Sequence, residues 1–271
     1  MKSKSNTLNG FTDLNDIFVR YLKVAPLSLA LFRTAEAARF QQLPLKRPVL
    51  DLGCGFGEFS GVFFKSKLEV GIDISIRDLI RAQKSNKYKK LVWVDAKEMP
   101  FPENTYNTVI SVSVLEHISD VKPVLTEVCR VLKPQGLFVF TVNLESMSQH
   151  LFWPNVLKKI KLDHLADQYV DLFHRVFKHK TLLSKEQWRQ LLTESGFEII
   201  ESETFMGRKI MRIFDLFLIT AFSSEVVKRF IEKRWVLRPQ FMYKYLSKHY
   251  IKIIESDSGE GSVLYVAARK K

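Results

Sequence analysis

A short apolar run, Val49, Leu50, Asp51 and Leu52, opens directly into glycine at every second position, Gly53, Gly55 and Gly57. A run of this kind reads as a buried strand entering a sharp turn. Glycine admits positive φ and lets the backbone approach a ligand with no Cβ in between. The spacing is GxGxG. It is not the GxGxxG of dinucleotide binders, and no Lys-Ser/Thr pair follows it as a phosphate loop requires.

The rest of the chain builds outward from this turn. Strands are expected at 48–52, 68–72, 91–95, 108–112, 136–143, 197–202 and 262–268, with helices at 76–85, 122–132 and 184–195 between them. Ser184 with Gln187 three residues later has the pattern of a capping box, and Gly196 ends that helix. Strands alternating with helices predict a parallel sheet with crossover helices on both faces. Residues 8–42 read as two helices, the second opened by Pro26. Two inserts, 144–183 and 205–261, are too long to lack structure and are expected to be largely helical. The organisation is an N-terminal helical cap over 1–45 and one larger domain over 46–271.

Three acids support the turn. Asp73 closes the second strand, 22 residues after Asp51, and Asp95 closes the third. In doubly wound sheets ligands bind beyond the carboxyl ends of the strands. Asp73 there can accept from both hydroxyls of a ribose, and Asp95 from an adenine amino group. Asp51, under the turn, can meet a cationic amine. Three such acids beside a glycine turn form a coherent ligand site, where one alone would be a solvated strand end.

Residues 49–57, the triplets Gly71, Ile72, Asp73 and Val94, Asp95, Ala96, the triplet Leu115, Glu116, His117, and residues 130–136 and 191–197 resemble the class I S-adenosylmethionine-dependent methyltransferases. The likeness leans to the small-molecule branch that includes ubiquinone-pathway enzymes, and it covers about 46–204 and the last strand. It implies a Rossmann-like, seven-stranded, mostly parallel α/β sheet whose last strand is antiparallel, helices on both faces, and two helical inserts. It implies that Asp51, Gly53, Cys54, Gly55 and Gly57 hold the methionine end of S-adenosylmethionine. Asp73 and Ile74 would meet the ribose, Asp95 and Ala96 the adenine, and Ser111, Val112, Ser113 and Val114 the wall near the sulfonium.

Methyl transfer is mostly alignment, and a base is needed only when the acceptor must lose a proton. His117 is one candidate for that base, or else caps the next helix. His179, just before the helix at 184, is the other. Some ubiquinone-type O-methyltransferases carry Glu-x-x-Glu-His at this point and are thought to use a metal. Here Ser113 stands at the first Glu, so no metal is expected. Asp163, Asp167, Asp171 and His174 fall on one helical face. That face is either solvated or a lid over the pocket. Phe11, Phe18, Tyr21 and Phe32 of the N-terminal helices are expected to form a third pocket wall.

Composition narrows the partners. The chain of 271 residues has 42 Lys+Arg against 29 Asp+Glu, a net charge of +13, and two cysteines, Cys54 and Cys129. That excludes a disulfide framework and fits a reducing compartment. The polar N-terminal ten residues are not a signal peptide, and the apolar stretch 210–222 is broken by Arg212 and Asp215. No span reaches the roughly 20 apolar residues a membrane helix needs, so a cytoplasmic protein is expected. Residues 205–254 carry 11 Lys+Arg, 3 Asp+Glu and ten aromatics, among them Phe222 and Trp235. This basic, aromatic segment is either a helical cap on the core or a surface for anionic lipid.

The leading expectation is a methyltransferase for a small or lipid-like acceptor, peripheral to the membrane or not. A nucleic-acid enzyme is allowed by charge. Against it, 111–114 reads Ser-Val-Ser-Val, without the Asn/Asp-Pro-Pro-Tyr/Phe string of amino-directed enzymes, and no RNA-binding module is recognisable. Protein methylation and a non-catalytic binding scaffold remain open alternatives. Oligomeric state leaves no trace in the sequence.

Overall fold

The computed structural model describes residues 7–8, 13–41, 43–218, 240–257 and 260–271. The chain opens with a two-stranded antiparallel pair, β1 (Thr7–Leu8) and β2 (Leu45–Lys46), which brackets α1 (Leu14–Val24) and α2 (Leu27–Phe40). Then follow β3 (Val49–Leu52), α3 (Glu58–Phe63), β4 (Leu68–Asp73), α4 (Ile76–Ser85), β5 (Tyr88–Trp93), β6 (Tyr106–Val112), α5 (Lys122–Val131) and β7 (Leu132–Asn143). The remaining described elements are α6 (Phe152–Lys159), α7 (Asp163–Phe177), α8 (Lys185–Glu194), β8 (Phe197–Gly207), α9 (Arg208–Leu216), α10 (Gln240–Glu255) and β9 (Gly261–Lys270).

Strands β3 to β9 form one seven-stranded sheet in the order β5-β4-β3-β6-β7-β9-β8. The pairs among β5, β4, β3, β6 and β7 are parallel. β9 alone runs opposite to the other strands of the sheet and lies between β7 and β8. This is the Rossmann-like arrangement expected from the sequence.

Side-chain alternation sends each strand's residues to two cores. Val49, Ile110, Val139, Val263 and Tyr265 face a layer built with α1, α2, α9 and α10, where Phe18, Tyr21, Phe40, Phe214 and Ile254 are buried. Leu50, Leu52, Val109, Phe138 and Phe140 face the opposite layer, filled by Val128 of α5 and by Trp188 and Leu192 of α8. Local signals set the helix ends. The Asp13 carboxylate accepts from Asn15 N–H at the start of α1, and Pro26 precedes α2. Ser184 and Gln187 form a reciprocal capping box, and Gly196 takes φ 88° just after α8.

Several boundaries differ from the sequence expectation. The six-residue α3, interrupted by Gly61, is too short to stand out as a periodic segment. β5 ends at Trp93, so Asp95 does not end a strand. It sits in a turn where its carboxylate accepts from Lys97 N–H at 2.9 Å. β8 continues to Gly207 because β9 pairs with it along that whole length, up to Gly207 opposite Gly261.

The described parts of both inserts are largely helical, as expected. Asp215 on α9 is fully buried and ties the two together, accepting from Trp153 N–H at 2.9 Å and from the Tyr169 hydroxyl. The charge that interrupts the apolar stretch thus anchors α9 to α6 and α7. Phe18, Tyr21 and Phe32 pack in the core and do not line the cavity at the strand ends. Phe11, Phe222 and Trp235 lie outside the described residues. In the basic segment, Ile210, Met211, Phe214, Ile251, Ile253 and Ile254 pack inward, while Lys244, Tyr245, Lys248 and Lys252 are exposed. Among the described residues no helix is long and apolar enough to cross a membrane.

Candidate functional site

The carboxyl ends of β3, β4 and β6, with the turn after β5, border a cavity of about 480 Å³. Asp51, Gly53, Cys54, Gly55, Asp73, Ile74, Asp95, Ala96, Val112 and His117 all line it. The register explains the convergence, since Asp51 on β3 pairs with Gly71 on β4 and Ile110 on β6, so these strands end side by side.

Each acid is held differently. Asp51 is buried, and its Oδ2 accepts from Ser60 Oγ and Tyr88 OH, both at 2.7 Å. Burial pushes its pKa up to about 6 against the pull of those two hydroxyls. At neutral pH it remains mostly ionised. Asp73 Oδ2 accepts from Gly55 N–H and its Oδ1 from Ser75 N–H, both at 2.8 Å. One carboxylate therefore fixes the glycine turn and the entry to α4. Burial raises its pKa too, opposed by these backbone donors. The Cys54 thiol is pushed far up by burial and by Asp51 and Asp73, so it stays protonated.

Gly53 and Gly55 take φ 71° and 52°. A Cβ added at Gly55 would meet nothing within 4 Å, so it would project into open space that a molecule bound against the turn would need. Acids for an amine and a diol, an open backbone cradle and a flanking apolar wall fit S-adenosylmethionine by the chemistry of the groups present.

Three expected residues are placed elsewhere. Gly57 does not line the cavity. It precedes α3 at φ 75°, where a Cβ would press on Ser85 Oγ at 3.1 Å and the Tyr88 ring at 3.2 Å. Ser111 is fully buried with its hydroxyl on the Leu52 carbonyl at 3.2 Å, so of the expected wall only Val112, Ser113 and Val114 line the cavity. His179 lies behind His117, ring on ring, with centroids 5.7 Å apart and planes 19° from parallel.

The histidines form a chain. His117 Nδ1 lies 3.2 Å from the Lys178 carbonyl, which can only accept, so Nδ1 carries the proton and Nε2 the lone pair. Burial, then the nearby Arg33, Lys178 and Lys180, hold its pKa below the usual histidine range. Asn143 Nδ2 lies 3.2 Å from His179 Nε2, and the Nδ1 atoms of His179 and His174 are 3.0 Å apart. Burial and the two neighbouring histidines push His179 down to about 3. The stripe on α7 therefore divides: Asp163, Asp167 and Asp171 are exposed, while His174 turns inward to His179. Among the described residues no three His, Cys, Asp or Glu side chains are grouped to hold a metal ion.

Glu116 is a feature the sequence did not reveal. It is fully buried, and among the described residues neither carboxyl oxygen has a partner in good hydrogen-bond geometry. Burial pushes its pKa up to about 8, with the backbone of Glu116 and Asn143 offsetting only part of this. The acid is thus mostly neutral at pH 7. Its folded pKa is above the unfolded value of about 4.3, so its contribution to stability is full below that value and is lost as pH rises through 8. Glu116→Gln is expected to raise Tm at pH 9 by about 2–4 °C for each kcal/mol relieved and to change it far less at pH 5, where most of the contribution is still present. Thermal melts at the two pH values check this, and equal shifts at both would exclude titration of Glu116 as the cause.

Sequence reasoning also missed Arg33 and Glu36. Arg33 lines the cavity, and Glu36 is fully buried next to it. The only signal was a charged pair at i,i+3 inside an Ala- and Leu-rich helix.

A family model described as "Methyltransferase domain" matches residues 25–202, well over half the chain. The ubiquinone/menaquinone biosynthesis C-methyltransferase of Rickettsia bellii is 25% identical over 232 residues, covering 75% of this chain and 86% of that protein. An uncharacterized protein of Methanocaldococcus jannaschii is 37% identical over 171 residues, covering 61% of this chain and 72% of its own. A solved SAM-dependent methyltransferase of Thermotoga maritima, a possible histamine N-methyltransferase, matches 96% of this chain and 100% of its own with a TM-score of 0.57. At 17% identity that likeness shows the fold alone. With the glycine turn, the strand-end acids and the sheet order described above, these matches place the chain in the methyltransferase-domain family, as a class I S-adenosylmethionine-dependent methyltransferase.

Proposed function

We propose that the chain methylates a small, lipid-like acceptor and that His117 is the base that receives the acceptor's proton. The observation that carries this reading is that His117 and the strand-end acids line one continuous cavity. Bound there, S-adenosylmethionine supplies a methyl group on a good leaving group. The protein's own contribution is alignment and removal of a proton. Leu29, Phe56, Phe59, Val114 and Ile118 give the cavity an apolar lining, with His117 and Lys180 among its few polar groups beyond the acids. Such a lining suits a ring or chain better than a charged polymer. The name of the Rickettsia bellii relative, a quinone-pathway C-methyltransferase, supports an acceptor of that kind. The Nδ1–H bond to Lys178 directs the lone pair of His117 to Nε2, and the stacked His179 fixes the ring.

The test is methyl-labelled S-adenosylmethionine with the protein and extract of its source cells, split into organic, aqueous, protein and nucleic-acid fractions. Label is expected in the organic phase. His117→Gln is expected to slow it about a hundredfold, the lower end of a general base's contribution, with S-adenosylhomocysteine affinity retained. Label in RNA or protein would replace the acceptor class, and an unchanged rate would remove His117 as base. The exposed Lys244, Lys248 and Lys252 of α10 support contact with anionic lipid near such an acceptor. Failure to sediment with phosphatidylglycerol vesicles at low salt would remove that contact from the proposal.

A further inference from the structure

The cavity is electrically lopsided. Its acids, Asp51, Glu58, Asp73 and Asp95, all lie around the glycine turn, the end of β4 and the turn after β5, where the cofactor is expected. Beyond the end of β6 the lining is Ser113, Val114, His117, Ile118, Ser119 and Lys180, with no carboxylate among the described residues. The two acids nearest in sequence face elsewhere. Glu116 is fully buried and does not line the cavity, and Asp120 accepts from Lys122 N–H at the start of α5. Two other cations line the cavity, but Arg33 is paired with Glu36 and Lys97 belongs to the turn of Asp95. Lys180 is the cation on the side of His117.

Its place is fixed by the backbone around it. The N–H groups of Lys180 and Thr181 both donate to the Glu116 carbonyl, at 2.8 and 3.0 Å. Thr181 Oγ1 donates to the Ile118 carbonyl at 2.6 Å, and His117 Nδ1 to the Lys178 carbonyl at 3.2 Å. These bonds clamp residues 178–181 against residues 116–118, so the root of the Lys180 side chain is held beside the His117 loop. The Lys180 charge reaches that ring, where it is one of those that keep the imidazole neutral.

A neutral base and a fixed cation side by side suit one kind of acceptor. A carboxylate or phosphate would pair with the cation but has no proton for the base to take. An amine would pass through a positive charge that the cation opposes. An aromatic or enolic hydroxyl uses both groups, because it loses a proton and leaves an oxyanion. We infer that Lys180 holds the ionised oxygen of a phenolic or enolic hydroxyl on the acceptor while His117 takes its proton. The hydroxyl proton passes to His117 Nε2, and the O–H electron pair stays on oxygen. The methyl carbon then bonds to that oxygen, or to a carbon conjugated with it, and the electron pair of the broken S–CH3 bond stays on sulfur. In the second case the methylated carbon releases its hydrogen as a proton and the oxygen regains one. This inference rests on the reading of His117 as the base and of its end of the cavity as the acceptor's place.

The test uses 4-nitrophenol, a phenol that turns yellow on ionising, added to protein saturated with S-adenosylhomocysteine so that no methyl can move. The bound dye is expected to ionise about tenfold more readily than the free dye, a pKa lower by about one unit. Lys180 is exposed, so its variants keep the fold. Lys180→Met is expected to abolish the shift and Lys180→Arg, which keeps the charge, to retain it. His117→Gln is expected to retain it as well. Bound dye that ionises as free dye does overturns the assignment, and so does the absence of binding at millimolar dye. A shift that survives in Lys180→Met, or that vanishes in His117→Gln alone, places the cation elsewhere and overturns it too. Since nothing turns over, these outcomes are independent of which fraction of a cell extract takes up label.

Discussion

Asp73→Ala is expected to weaken S-adenosylhomocysteine binding about a thousandfold, or roughly 4 kcal/mol. Two losses combine. The carboxylate at the end of β4 would accept from the ribose hydroxyls, and each hydrogen bond to a charged group is worth about 1.5–3 kcal/mol. The same carboxylate holds Gly55 N–H and Ser75 N–H at 2.8 Å, so its removal also frees the turn that the cofactor lies against. Asp95→Ala is the control. Asp95 is exposed and its carboxylate bonds only locally, to Lys97 N–H, so its loss is expected to be smaller by at least an order of magnitude. Calorimetric titration measures both. A fall of less than tenfold for Asp73→Ala would mean that the ribose does not rest on it.

The second large effect is expected at Gly53. Its φ of 71° strains any residue with a Cβ, and an added Cβ would fall 2.6 Å from Val114 Cγ2 and 3.0 Å from Val114 Cβ, with Cγ1 nearer still. Backbone strain of this kind costs about 1–3 kcal/mol, and Val114 is itself part of the cavity wall. Gly53→Ala is therefore expected to lower stability by about 3 kcal/mol, a Tm drop of about 6–12 °C, and to reduce S-adenosylhomocysteine binding at least a hundredfold. Adding Val114→Ala removes the collision but not the strain, so it is expected to recover part of the Tm loss. If it recovers none, the collision is not the cause.

What was legible in the sequence follows from distance along the chain. The glycine turn, Asp51 and Asp73 stand out because alternation, strand length and glycine spacing act within a few residues. The capping box of α8 was visible for the same reason. Ser60 and Tyr88, which hold Asp51, are 9 and 37 residues from it. Glu36 meets Ser113 and Thr141 across 77 and 105 residues. No local periodicity reports such partners. α2 was hard to read for a further reason: its Ala and Leu content marks a buried helix, and a buried helix gives no reason to assign its two charges to a ligand site. Ser111 and Ser113 show the limit of strand alternation. The first stays between strands on the Leu52 carbonyl, and the second leaves the strand with positive φ and turns to Glu36.

The placement of β9 bears on the order in which the molecule can be assembled. Among the described strands, β8 is joined to the sheet only through β9, although β9 is made more than fifty residues later. While the ribosome is still adding residues 208–260, β7 has one paired edge and one bare edge, and β8 has no strand to join. Bare edges invite pairing with other chains. A nascent chain therefore passes through a stage in which the cofactor-binding half can close while the other half waits, exposed, for its final strand.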